Sequence, residues 1–267
     1  MFKLGTIGAG HMGMAILDAA IEHNLAKPSD ILVYEINPER SREAKNRGFA
    51  AAGNEAEVFA NSNLVMLAVS PQVCEDLLVK LAKTATRFEK KPVIVNIMAG
   101  ISSNYIRKHL GDVPVITLMP TMGMRVRQGA AAIAYTDDVP DVDLSYVMKI
   151  FYATGEVVIV EEPLLKEIVA VNGCMPGYVF YILDAFAKEA ERQGLDYQTS
   201  LRMAARGFIG AATQVLEGAS PKEMIAKVCT PGGLTAKGVE NFEENHMAQL
   251  LSEGMKASIR RGYELAR

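Results

Sequence analysis

The chain has 267 residues, 49% hydrophobic and 22% charged, with a formal net charge of −3: a globular composition with enough chain to bury a core. The absence of a basic block argues against a nucleic-acid surface, and apolar runs such as Leu64 to Val69 are too short to span a bilayer. Cys74, Cys174 and Cys229 are odd in number and far apart, the four histidines lack metal-ligand spacing, and the N-terminus reads without a secretion signal, so a cytoplasmic protein with no metal is expected.

The first half alternates strand and helix patterns. Phe2 to Ile7 reads as a strand, Met14 to His23 as a helix and Ile31 to Glu35 as the next strand. Leu64 to Val69 and Val93 to Ile97 are near-continuous apolar runs, as in strands covered on both faces. Strands at Val113 to Leu118 and Ala130 to Tyr135, a helix at Val142 to Phe151 and a strand at Val157 to Val160 follow. Such alternation predicts a parallel sheet with helices on both sides.

After Glu161 only helical patterns appear. Pro163 suits a first helical turn, and Leu164, Leu165, Ile168 and Val169 recur at helical spacing. Tyr178 to Arg192 and Tyr197 to Leu216 are further helices, stopped by Gly194 and Gly218. Ser220-Pro221-Lys222-Glu223 resembles a capping box opening a fourth, which Pro231-Gly232-Gly233 breaks. Two more helical stretches reach the C-terminus, where Arg260, Arg261 and Arg267 suit the negative end of a helix dipole. Val179, Phe180, Ile182, Leu183, Ala185 and Phe186 make the Tyr178 helix apolar around much of its circumference, which predicts burial by a partner subunit.

Two glycine segments carry chemistry. Gly8-Ala9-Gly10-His11-Met12-Gly13 fits G-x-G-x-x-G between a strand and a helix. Gly8 is expected to make the tight turn, Gly10 to admit a pyrophosphate to the backbone, and Gly13 to let the helix pack on the strand. Glu35, closing the second strand, is placed to bond ribose hydroxyls and leans toward NAD(H), whereas Arg40 and Arg42 could hold a 2′-phosphate. The Ala68-Val69-Ser70-Pro71 and Met98-Ala99-Gly100 loops follow strands and are expected to line the same groove. The second segment, Cys229-Thr230-Pro231-Gly232-Gly233-Leu234-Thr235, joins two helices. It reads either as a small anion site, suited to a substrate carboxylate, or as a tight connection between packed helices. Thr235 is also a residue type that caps helices, and one side chain could do both.

With these segments the chain resembles the pyrroline-5-carboxylate reductase family over essentially its whole length. The family carries Ser-Pro-Gly-Gly-x-Thr where this chain has Thr230-Pro231-Gly232-Gly233-Leu234-Thr235. The likeness includes Ile7-Gly8-Ala9-Gly10-His11-Met12, Ala68-Val69-Ser70-Pro71, Ala99-Gly100, Met119-Pro120, Gly155, and Pro176 with Tyr178.

The resemblance implies an α/β Rossmann-like dinucleotide-binding domain, 1–162, followed by an all-α dimerisation domain, 163–267. It implies reduction of a cyclic imino acid by NAD(P)H at an active site on the interface of a homodimer or an oligomer of dimers. On that basis Thr230, Gly232 and Gly233 would hold the substrate carboxylate, Thr235 would bond the ring nitrogen, and Glu162 would fall in the substrate pocket. Ile7 to Gly13, Glu35, Asn54, Ala68, Val69, Pro71 and Met98 to Gly100 would hold the cofactor, with Lys227 nearby.

The chain departs from the family at three places. Met119-Pro120-Thr121-Met122-Gly123 stands for Met-Pro-Asn-Thr-Pro, and Asn172-Gly173-Cys174-Met175-Pro176-Gly177-Tyr178 for Ser-Gly-Ser-Gly-Pro-Ala-Tyr. Ser70 also replaces a common lysine. These changes leave open a different imine, or a silent dinucleotide-binding homologue. A β-hydroxyacid dehydrogenase would use a lysine such as Lys166, which lacks that family's surrounding pattern.

Overall fold

The computed structural model describes residues 1–265, which divide into two compact units: residues 1–173 with 259 onward, and residues 174–258.

In the first unit, β1 (Phe2–Ile7) leads to α1 (His11–Glu22), β2 (Ile31–Tyr34), α2 (Pro38–Asn46), β3 (Ala50–Ala51) and α3 (Glu55–Asn61). Then come β4 (Ser62–Leu67), α4 (Cys74–Ala85), β5 (Val93–Asn96), α5 (Ser103–Leu110), β6 (Val115–Pro120), β7 (Gly129–Tyr135), α6 (Asp141–Tyr152), β8 (Gly155–Ile159) and α7 (Leu165–Val171). One sheet holds the strands in the order β3-β2-β1-β4-β5-β6-β7-β8. The order reverses between β1 and β4, whose last residues Ile7 and Leu67 are register partners. In an open sheet of this type, ligands sit beyond the strand ends at such a reversal.

Both faces of the sheet are covered. Along β4, Leu64 and Met66 join the core formed with α1 and α6, while Val65 and Leu67 join the one formed with α3, α4 and α5. Alternate residues of a strand point to opposite faces, so a strand sandwiched between helix layers must be apolar throughout.

The expected parallel sheet carries one antiparallel pairing: β7 runs antiparallel to β6. Only residues 121–128 separate the two strands, with a short 3₁₀ turn at Met122–Val126 between them. That is too short for the crossover helix a parallel neighbour requires.

The second unit holds α8 (Met175–Arg192), α9 (Tyr197–Leu216), α10 (Pro221–Val228), α11 (Leu234–Glu244) and the start of α12 (Met247–Leu265), with no strand among its residues. α8 packs on α9 through Phe186 and Phe208, whose rings meet edge-on at 6.5 Å. Tyr197 Oη donates to Asp184 Oδ1 at 2.9 Å.

One local expectation fails here: α10 opens at Ser220, but the Ser220 side chain makes no capping bond. Arg260 and Arg261 lie in α12 near the end of the described residues, and Arg267 lies outside them. Residues 162–192 also contain a window of mean hydropathy 1.3, apolar and long enough for a membrane span by composition alone. The stretch is broken into a 3₁₀ turn, α7 and α8, and α8 carries Asp184, Lys188, Glu189, Glu191 and Arg192.

Candidate active site

The first site is built on the end of β1. Gly8 N–H donates to the Tyr34 carbonyl at 2.8 Å, and the buried Thr6 hydroxyl donates to the Gly8 carbonyl at 2.9 Å. Gly8 has φ +97°, and a Cβ there would lie 2.5 Å from the Ala68 carbonyl oxygen, so only glycine fits. A Cβ on Gly13 would come within 3.0 Å of the Gly8 carbonyl oxygen and 3.1 Å of Ala68 Cβ. The structure thus brings Gly8, Gly13 and Ala68 together. Gly10 differs: a Cβ there would meet only Arg40 Nη1, at 3.8 Å. α1 starts immediately after it with no side chain capping its first turn. An open glycine before an uncapped helix start fits a diphosphate, which takes up the free N–H groups and the positive end of the dipole.

Glu35 closes the far side of the turn. Its Oε2 accepts from Ala9 N–H at 2.6 Å and its Oε1 from Asn37 N–H at 2.8 Å. Beside the glycine turn, Pro71 opens a 3₁₀ turn into α4, with Ala68 and Val69 half-buried before it. The Met98 side chain is buried in the core, as is that of Ile7, so these two can offer only backbone, while Ala99 is exposed and Gly100 half-buried. Asn54 is the N-cap of α3, its side chain accepting from Glu57 N–H at 2.9 Å.

Sequence reasoning passed over two buried polar residues that shape these loops, Thr6 and Asn96. Asn96 donates through Nδ2 to the Ile101 carbonyl at 2.8 Å and accepts from Met98 N–H at 3.0 Å, bracing the loop after β5. The available signal was an asparagine at the end of an otherwise apolar strand, where an unpaired amide would be costly.

Glu162 does not stand free. Its carboxylate accepts from Ser103 N–H at 2.6 Å and Ser103 Oγ at 2.5 Å, with Thr117 Oγ1 at 3.4 Å. It therefore sits at the start of α5, favoured there by the helix dipole. The two segments that depart from the family pattern are bonded to each other. Asn172 Nδ2 donates to the Met119 carbonyl at 2.6 Å and the Ala130 carbonyl at 3.2 Å, and Thr121 Oγ1 accepts from Ala130 N–H at 3.0 Å.

In the second unit, α10 ends at Val228 and the chain turns through Gly232, at φ +72°. Gly233 N–H donates to the Thr230 carbonyl at 2.8 Å. A Cβ on Gly233 would lie 2.5 Å from Thr230 Oγ1 and 2.9 Å from the Thr230 carbonyl oxygen, so the turn is tight around glycine. Gly233, not Thr235, is the N-cap of α11, and no side chain caps that helix start. Thr235 is exposed one residue into the helix, so its expected capping role is not observed.

Residues 162–265 match the family described as pyrroline-5-carboxylate reductase dimerisation, and residues 3–100 match NADP oxidoreductase, coenzyme F420-dependent. The chain is 30% identical to the pyrroline-5-carboxylate reductase of Escherichia coli K12, covering 99% of this chain and 98% of that one. It is 32% identical to the enzyme of Synechocystis, with the same coverage. This chain belongs to the pyrroline-5-carboxylate reductase family. A solved pyrroline-5-carboxylate reductase from Coxiella burnetii superposes with a TM-score of 0.88 at 25% identity, covering 100% of this chain and 99% of that one. The expected class, an NAD(P)-dependent oxidoreductase with a Rossmann-like domain and a helical dimerisation domain, agrees with these matches. The dimerisation match over the helical half makes the chain a homo-oligomer.

Proposed function

We propose that this protein reduces 1-pyrroline-5-carboxylate to L-proline with NAD(P)H, as a homodimer or an oligomer of dimers in the cytoplasm. One observation carries the reading: a chain 30% identical to a curated reductase over its full length keeps two uncapped, glycine-led helix starts, at Gly10 and at Gly233. Residues 1–162 take the dinucleotide on Ile7 to Gly13, Glu35, Asn54, Ala68, Val69, Pro71 and the backbone of Met98 to Gly100. Residues 163–267 take the imino acid, its carboxylate on Thr230, Gly232 and Gly233, with Glu162 just before them as a substrate-side residue.

A reduced nicotinamide, when bound, supplies the hydride. The imine carbon gains it, the C=N π electrons move to nitrogen, and nitrogen takes up one proton. A protonated imine is already electrophilic, so the chain need not supply a strong acid. The Thr235 hydroxyl bonds the ring nitrogen and passes a proton from water, while the turn at 230–233 fixes the ring by its carboxylate. Thr235→Ala is expected to lower kcat/KM for the imine by about tenfold, the loss of one hydrogen bond to a charged group, with NAD(P)H binding unchanged. An unaltered kcat/KM would remove Thr235 from the reaction.

The bonded pair of divergent segments, Asn172 on Met119, favours one second reading, a cyclic imino acid of another ring size. Steady-state assays with five- and six-membered imino acids separate the two. Dinucleotide binding without turnover on either would mark a silent homologue.

A further inference from the structure

Three backbone donors of the turn between β2 and α2 are taken up within the turn itself. Asn37 N–H goes to Glu35 Oε1 at 2.8 Å, and Glu39 and Arg40 N–H go to Asn37 Oδ1 at 3.0 and 3.1 Å. Residue 38 is proline and has no N–H to give. A phosphate on the adenosine ribose needs donors; here it would find these three taken and a carboxylate beside them. A ribose diol needs acceptors. An ionised carboxylate offers about four lone-pair sites. Two on Glu35 are filled by Ala9 and Asn37, which leaves room for two hydroxyls.

The cations of this turn are Arg40 and Arg42, both exposed. Arg40 Nη1 lies 3.8 Å from where a Cβ on Gly10 would stand, so its guanidinium sits over the open glycine of the diphosphate cradle. A planar guanidinium suits the diphosphate that both dinucleotides share.

We infer that Glu35 makes this site selective for NADH over NADPH, with Arg40 serving the common diphosphate. The inference rests on the dinucleotide reading of the β1 cradle and deepens it.

The test is binding to the full-length protein without imine, followed by fluorescence of the reduced nicotinamide. NADH is expected to bind about tenfold more tightly than NADPH, because a 2′-phosphate would meet the Glu35 charge at close range. Glu35→Gln should bring the two affinities within a few-fold of each other, and Arg40→Ala should weaken both by a similar factor. Should the turn not tolerate Glu35→Gln, competition on the unaltered protein gives the same answer: 5′-AMP displaces NADH, and adenosine 2′,5′-bisphosphate does so much more weakly. NADPH bound as tightly as NADH, or displacement by the bisphosphate at equal concentration, overturns the assignment of Glu35. An Arg40→Ala protein that loses NADPH alone, or neither cofactor, overturns that of Arg40. Binding of neither dinucleotide sinks the dinucleotide reading itself.

Discussion

In the first unit Phe59, Leu78 and Ile94 are sealed between sheet and helices, at no more than 1% exposure; in the second, Phe180, Tyr181 and Met203 stand 69%, 78% and 69% exposed. Among the large side chains of α8 only Leu183 is buried, and α9 buries none. An α/β layer closes its core with its own helices, whereas a bare helical layer has to be covered from outside. The dimerisation match over 162–265 makes the chain a homo-oligomer, and a second copy is the cover expected for this face.

The largest effect expected from breaking that contrast is on assembly. Phe180→Glu with Tyr181→Glu should convert the oligomer to monomer in sedimentation velocity, while dinucleotide binding by the first unit persists. An intact oligomer would place the interface elsewhere on the helical half. Next comes the sealed core: Phe59→Ala should cost about 3–5 kcal/mol in urea unfolding, the usual toll of emptying a buried aromatic site. Asn96→Ala is a smaller, local lesion, about 1–3 kcal/mol, because two backbone partners are left unpaired. It should also raise the dinucleotide Kd by loosening residues 97–101, which titration and hydrogen exchange would resolve.

The smallest effect lies on the exposed helices. Hydrogen bonds from Lys188 and then Tyr197 hold the Asp184 carboxyl below its usual 3.8. The folded form therefore gains stability from Asp184 above that pH, and loses it as pH falls through the lower folded value. Asp184→Asn should cost little at pH 7 and progressively less as the pH is taken down below 3.8, as thermal melts across that range would register.

Where local pattern and tertiary context agreed, the chain was legible. β1 and α9 fall on the residues their periodicity marked, Phe2–Ile7 and Tyr197–Leu216. β3 escaped because two alanines carry no period. The reversal of β7 was readable in principle from the short gap after β6, but strand–helix alternation elsewhere hid it. At the site, the glycines that make each turn were plain from type and spacing. Partners far apart in sequence were not: the bond of Glu162 to Ser103 spans 59 residues, and that of Asn172 to Met119 spans 53. Nothing in a local window signals such pairs.

Glu35 has two jobs at once, because the oxygen that would greet a ribose also ties Ala9 to the end of β2. Levelling the nucleotide preference takes one substitution, but inverting it is therefore not a one-letter edit. Whatever replaces this carboxylate must also hold the glycine loop shut, so a useful swap would have to come as a matched set of changes across two strands.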